Sequence, residues 1–281
     1  MKNGESLENC TILTNYTNTV NLREPNPFYN IFLFEGTGTV KIDLTEYDFS
    51  GKIVLFTTPY QFVRFNSAEL FNILTLQFHG DFYCIEYHKK EVACNGLLFN
   101  NIYLQPFIEL NDDEFIEIRE LFNKLSKEVN QLDTYSQAVV RAYLQLVLAL
   151  SSKIKIAVID TNDHENINSP VLRFKTLLET HFNKERQPAF YAEHLGISPN
   201  AFSKQCKIQF KRSPSGLIQE RVILEAKKLI HLTYKSMKEI AAELNFDDEN
   251  YFSRYFKKHT GITPTTFRET VGISIVADLS R

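Results

Sequence analysis

The chain has 281 residues, of which 43% are hydrophobic and 23% charged. That length suits about two domains of roughly 100–200 residues each, and the balance excludes a disordered tail or a fibrous repeat. The net charge of −3 hides an asymmetry: residues 1–160 carry 13 basic and 20 acidic side chains, residues 161–281 carry 18 and 14, so the second part is the one suited to a polyanion.

The opening, Met1 to Cys10, has no basic segment followed by an apolar run, so no signal peptide is expected. The longest apolar stretch, Ala142 to Leu150, is nine residues broken by Gln145 and is too short to span a bilayer. A cytoplasmic protein without a membrane partner is the expectation. Cys10, Cys84, Cys94 and Cys206 are scattered, without a CxxC pair or zinc spacing, which argues against a disulfide scaffold or a structural metal. Cys206 falls at an apolar helical position and reads as a small core residue.

In chain order, the first hundred residues read as short strands: Phe28–Phe34, Thr39–Leu44, Lys52–Thr57, Gln61–Phe65 and Phe71–Phe78. Turn signals at Gly36 and Gly38, Asp48 to Gly51, Pro59, and Gly80-Asp81 separate them. Such strands predict an antiparallel sandwich, roll or small barrel over about 10–105. A helical hairpin follows over about 112–156. Phe115, Ile118, Phe122, Leu125 and Val129 form one apolar seam, with an N-cap at Asn111 or Asp112. In the second helix Tyr135, Val139, Ala142, Leu146 and Ala149 form one face, and Val140, Leu144, Val147 and Leu148 another. A helix apolar on two sides calls for two partners: its own hairpin mate and a second subunit are one reading, and burial against the strand domain alone is the other. The polar run 160–169, ending before Pro170 and including His164, reads as a linker between a 1–159 domain and a 170–281 domain.

From Pro170 the sequence is helical and contains a duplication. Gln187–Gln219 and Ser236–Glu269 align so that Ala192 meets Ala241, Leu195 meets Leu244 and Ile197 meets Phe246. After one extra residue in the second copy, Phe202 meets Phe252, Lys204 meets Arg254, Lys207 meets Lys257 and Pro214 meets Pro264. Each copy has helix-turn-helix grammar, at about 187–210 and 236–259, with a connecting helix over about 214–232. Gly196 and Asn245 occupy turn positions open to positive φ. Ser198 and Asp247 are the expected caps of the second helices, and Pro199 suits a first helical turn. From Ser198 to Arg212 there is no acidic residue, while Lys204, Lys207, Lys211 and Arg212 are basic. A short positive helix with polar tips suits a DNA major groove.

These residues resemble the AraC/XylS family of bacterial transcription regulators. The stretch SMKEIAAELNFDDENYFSRYFKKHTGITPTTFR (Ser236–Arg268) follows the family signature nearly throughout, and ERVILEAKKLI (Glu220–Ile230) is similar to its connecting helix. The resemblance covers about 170–269. Over the first half it is architectural, to a cupin-like effector and dimerisation domain. It implies an α+β protein of two domains that binds double-stranded DNA as a homodimer, acts on RNA polymerase as an activator, and answers to a small-molecule effector. Carried over by position, Asn200, Ser203 and Lys204 of the first reading helix and Glu249, Asn250, Ser253 and Arg254 of the second would face base edges. Lys207, Lys257 and Lys258 would hold phosphates. Lys211 and Asn245 depart from the family's usual Gly, and Cys206 from its usual Phe. Asp247, Asp248 and Glu249 put three acids at the tip of the second reading helix, which points to the first as the dominant reader.

The amino domain has His79 and His88, nine residues apart, without the HxH of a metal cupin, so no metal or cofactor is expected. Aromatic residues of the predicted strands, among them Phe32, Phe34, Phe56, Phe62, Phe78 and Tyr83, would either line an apolar ligand pocket or fill the core. Two enzymatic readings stand as alternatives: a cupin-like enzyme with an accessory helical domain, and a DNA-repair methyltransferase. The first lacks metal ligands and the second lacks a zinc-clustered reactive cysteine. Neither supplies a catalytic residue.

Overall fold

A computed structural model describes residues 10–17, 21–22, 26–43, 45–69, 71–83, 97–99, 101–130, 135–162, 170–274 and 277. Cys84, Cys94, His88, His164 and most of the expected linker lie outside the described residues. The chain forms two compact units. The first comprises Met1–Asn101, Pro106–Ala157 and Ser274–Asp278, and the second Ile102–Gln105, Val158–Ile273 and Leu279–Arg281.

The first unit holds an antiparallel sheet of seven strands among the described residues, β1 (Cys10–Thr17), β2 (Asn21–Leu22), β3 (Tyr29–Ile42), β4 (Thr45–Thr57), β5 (Val63–Asn66), β6 (Phe71–Phe78) and β7 (Phe107–Leu110). The order is β1-β6-β3-β4-β7, with β5 pairing to β2 and β3. The two strands expected at Phe28–Phe34 and Thr39–Leu44 are one, β3, and the expected Asp48–Gly51 turn lies inside β4. Gly36 pairs with Gly51 and Gly38 with Phe49 across a hairpin whose turn sits between Ile42 and Thr45. Gly38 marks a crowded place within the sheet instead of a chain reversal. A Cβ at Gly38 would come within 2.4 Å of the Asn66 carbonyl oxygen, where β5 lies against β3.

The period of two puts alternate side chains into two cores. Ile31 and Leu33 with Val54, Phe56, Leu76 and Phe78 belong to one, and Phe32 and Phe34 with Ile53, Leu55, Phe65 and Ile73 to the other. The first core is closed by the hairpin α1 (Asp112–Val129) and α2 (Ser136–Asn162). Helix α1 starts in a reciprocal capping box: Asn111 Oδ1 accepts from Glu114 N at 2.9 Å, and Glu114 Oε2 accepts from Asn111 N at 2.9 Å. Its seam residues Phe115, Ile118, Phe122 and Leu125 are buried, with Leu121 beside them. Helix α2 buries Val140, Leu144, Val147 and Leu148 in the same core. Of its other face, Tyr135, Ala142 and Leu146 are exposed and Val139 and Ala149 half-buried. An 18-residue window within Ser136–Ile159 has a mean hydropathy of 1.6, enough by length and composition for a membrane span. The apolar residues there nonetheless divide between two faces, one of them built into the sheet's core. The helix continues to Asn162, three residues into the stretch read as linker.

The second unit contains α3 (Pro170–His181), α4 (Pro188–His194), α5 (Pro199–Phe210), α6 (Pro214–Leu232), α7 (Met237–Glu243), α8 (Glu249–Thr260) and α9 (Pro264–Val271). The duplication is visible in the element lengths: α4 and α7 have seven residues each, and α5 and α8 twelve each. Helices α6 and α9 open alike, with Ser213 and Thr263 as caps and a proline next.

Candidate nucleic-acid interface

The two copies build the same turn from different residues. After α4, Ile197 N donates to Ala192 O at 3.1 Å and Gly196 N to Glu193 O at 3.0 Å. After α7, Phe246 N donates to Ala241 O at 2.9 Å and Asn245 N to Ala242 O at 3.0 Å. This is the pattern that ends a helix in a left-handed residue. Gly196 has φ +68° and Asn245 φ +53°, a strained setting that asparagine tolerates better than most side chains. Ala192 and Ala241 are buried, so the absence of a larger side chain lets the crossing helices approach.

Both reading helices are capped by a side chain. Ser198 Oγ accepts from Ala201 N at 3.2 Å, and Asp248 Oδ1 accepts from Tyr251 N at 2.7 Å. The cap of α8 is therefore Asp248, not the expected Asp247. A cap must reach the N–H three residues on, and the phase of α8 is set by Phe252 and Phe256 facing the core. Asp247 is the extra residue of the second copy, held exposed before the cap.

Aromatic rings fix the helices from below. In the first copy Phe174 of α3 meets Phe202 at 4.9 Å and Tyr191 at 5.3 Å between ring centroids. In the second, Phe246 meets Phe252 at 5.2 Å and Phe256 meets Phe267 at 5.6 Å. Cys206 is completely buried in the first copy's core, and burial pushes its thiol up to about 12. Cys10, buried in the sheet unit, is pushed up to about 12 for the same reason, so neither has the depressed pKa of a reactive thiolate.

With one face of each helix anchored, the expected reading residues occupy the other. Asn200, Lys204 and Lys207 on α5 are exposed and Ser203 half-buried; Glu249, Asn250, Arg254, Lys257 and Lys258 on α8 are exposed and Ser253 half-buried. Each helix thus presents a polar row about two turns long. Lys211 extends the cationic row of α5. Arg212 does not: its guanidinium lies 2.7 Å from Glu220 and donates to Ile102 O at 2.6 Å. The acids at the tip of α8 are divided in role, with Asp248 spent on the cap and Asp247 and Glu249 facing solvent.

The aromatic residues considered for a ligand pocket do not converge. Phe32 and Phe34 lie in one core of the sheet unit, Phe56, Phe78 and Tyr83 in the other, and Phe62 is 37% exposed. The alternation of the strands separates them. His79 is buried beside Asp81, its Nδ1 3.3 Å from Asp81 Oδ2. Among the described residues no cluster of three potential metal ligands occurs.

One residue of the helical unit has no counterpart in the sequence reading. Arg186, just before the first repeat, donates through Nη2 to the carbonyls of Leu244 and Asn245, the latter at 3.4 Å. Its guanidinium carbon lies 3.8 Å from the centroid of the Phe246 ring. The partners are 58 and 59 residues away in sequence, and no local pattern marks such a contact.

A family model described as a helix-turn-helix domain matches residues 191–270. The chain is 28% identical over 150 residues to the arabinose operon regulatory protein of Salmonella typhimurium, covering 53% of this chain and 52% of that protein. It is 24% identical over 202 residues to the HTH-type transcriptional activator RhaR of Cronobacter sakazakii, covering 70% of each. The chain thus spans about half the length of the first of these relatives and more of the second. Among solved structures, that of ToxT from Vibrio cholerae aligns with 93% of this chain and 98% of its own at 15% identity and a TM-score of 0.38. Residues 191–270, with the paired helix-turn-helix units and their shared capping and turn geometry, thus form a helix-turn-helix domain similar to those of AraC-type regulators.

Proposed function

We propose that the protein is a sequence-specific DNA-binding transcription regulator that reads two successive major grooves with α5 and α8. The observation that carries this reading is the exposed polar face on each of two equivalently capped helices, set on a common helical frame. Asn200, Ser203 and Lys204, and on the second helix Glu249, Asn250, Ser253 and Arg254, face base edges. Asparagine pairs with adenine, arginine with guanine, and glutamate accepts from cytosine. Lys207, Lys257 and Lys258 hold phosphates. The protein works by binding, not catalysis, in the cytoplasm where its DNA is. Activation through RNA polymerase is the favoured outcome, in keeping with the relative named as a transcriptional activator.

Self-association through α2 fits the outward apolar face that carries Ala142 and Leu146. A small-molecule effector acting on the sheet unit completes the proposal, with 160–169 as the linker between a 1–159 and a 170–281 domain.

Selection from a random duplex pool at two salt concentrations tests the reading. Two short enriched blocks one helical turn apart, with affinity falling steeply as salt rises, are expected. Replacing Lys207 by Ala should weaken binding to all sequences alike and lower the slope of log affinity against log salt by about 1. Absence of binding at both salt concentrations overturns the proposal.

A further inference from the structure

Two reading helices select a spacing only if their mutual orientation is fixed. Helix α6 supplies one connection. On the first copy's side, Arg221 of α6 donates to Glu179 of α3 at 2.9 Å, and its guanidinium lies 3.9 Å from the Phe182 ring. On the second copy's side, Arg268 of α9 donates to Ile230 O at 3.2 Å, and His231 Nδ1 lies 2.9 Å from Gly272 O. A connecting helix fixes the two copies only through its own packing, so a direct contact between them adds a second constraint on swing and twist.

Arg186 provides a second point of attachment. It sits in the segment between α3 and α4, on the first copy, and reaches the turn that follows α7, on the second. Leu244 is the C-cap of α7 and Asn245 its left-handed residue, so the guanidinium meets the carbonyl end of a helix, where a cation is favoured. Phe246 opposes its flat face at 3.8 Å, and Tyr255 lies 5.9 Å away. Two hydrogen bonds from one nitrogen and a stacked ring define both the distance and the angle of the contact. The planar guanidinium can make these together, whereas an ammonium lacks the flat face. Burial lowers the pKa of Arg186, with Tyr255, Tyr251 and Asp247 acting in the opposite sense, and arginine keeps its charge under these conditions.

We propose that Arg186 is a positioning residue that locks the second helix-turn-helix against the first and thereby sets which spacing of two DNA blocks the protein accepts. The inference rests on the DNA-reading function proposed above. Without the lock, each helix keeps its own capped, packed structure and its own base preference. What changes is the penalty for moving one block along and around the duplex relative to the other.

The test uses the full chain and duplexes carrying the two selected blocks at the native spacing and with one or two base pairs inserted or removed. One base pair turns the second block by about 34° and shifts it by about 3.4 Å. The wild-type protein should lose about tenfold or more in affinity for a one-base-pair insertion, the size of a mismatched contact. Arg186→Ala should lose about threefold or less on the same change, while its affinity for a duplex with one block stays within about twofold of wild type. Arg186→Lys, which keeps the charge without the flat face, should fall between, and it decides the matter if melting shows the alanine variant to be unfolded. Variants that retain the wild-type spacing penalty overturn the inference and leave the DNA-reading function standing. Uniform weakening at every spacing with a shallower salt slope would make Arg186 a phosphate contact and also overturn it. A wild-type protein that binds no duplex overturns the function and this inference together.

Discussion

Lys211 shows how the two copies build the same left-handed helix end from different residues. It ends α5 at φ +58° and ψ +20°, with its N–H donating to Lys207 O, while Gly261 ends α8 at φ +83° with the equivalent bond to Lys257 O. A side chain in the left-handed region costs about 1 kcal/mol, which glycine avoids at the expense of a larger unfolded-state entropy. Lys211→Gly should therefore raise stability by about 0.5–1 kcal/mol, read as a higher denaturant midpoint with an unchanged slope. A lower midpoint would mean that the lysine stem contributes packing that outweighs the strain. The same logic gives Asn245→Gly a smaller gain, since asparagine is better tolerated there.

Helix α2 carries the clearest conflict between local composition and surroundings. Its inward face runs from Val140 through Leu144, Val147 and Leu148, then turns polar with buried Ser151, Ser152 and Lys155. Burial brings the Lys155 amine down from 10.5 to about 8. Below pH 8 the amine is charged in both folded and unfolded chains, so the folded state bears a desolvation cost. Between pH 8 and 10.5 the folded protein gives up the proton while the unfolded chain keeps it, and stability gains with rising pH. Above that range neither form is charged and the cost is gone. Lys155→Met should therefore be more stable than wild type by about 1–3 kcal/mol at pH 7. The advantage should shrink as pH is raised through 8 toward 10.5, as thermal melting across that range would reveal. An advantage independent of pH would place its origin in packing instead of charge.

At the scale of the whole molecule, the self-association proposed through α2 makes its own prediction. Leu146 is 44% exposed in the middle of the outward face, next to exposed Ala142. An acidic side chain there would have to be desolvated in the joined form, whereas in a free chain it stays in water. Leu146→Glu should thus weaken self-association by about tenfold or more, while leaving the fold and the affinity of one chain for one block unchanged. Sedimentation velocity over a range of concentrations measures the first and helical circular dichroism the second. An unaltered oligomeric state would exclude this face as the contact. The uneven charge, acidic before residue 160 and basic after it, agrees with DNA being met by the helical unit.

The sequence by itself determined what is repeated or periodic. The duplication in the helical unit, the seam of α1, the two faces of α2 and the outward polar rows of α5 and α8 follow from spacings of three and four, because helix geometry maps those spacings onto faces. The tertiary structure decided what depends on neighbours distant in the chain. Glycines at 36, 38 and 51 look like turns when read locally but belong to one long hairpin, because an adjacent strand crowds Gly38. Of six aromatic residues that could line one pocket, five divide between two cores and Phe62 is exposed, because alternation along a strand sends neighbours to opposite sides. The cap of α8 fell to Asp248 because the core phase of Phe252 and Phe256 sets where that helix begins. Arg212 was drawn into a bond with Ile102, 110 residues away, and Arg186 into one with Leu244. Local propensity records the backbone a segment prefers; it carries no term for which distant carbonyl or ring a guanidinium will meet once the helices have packed.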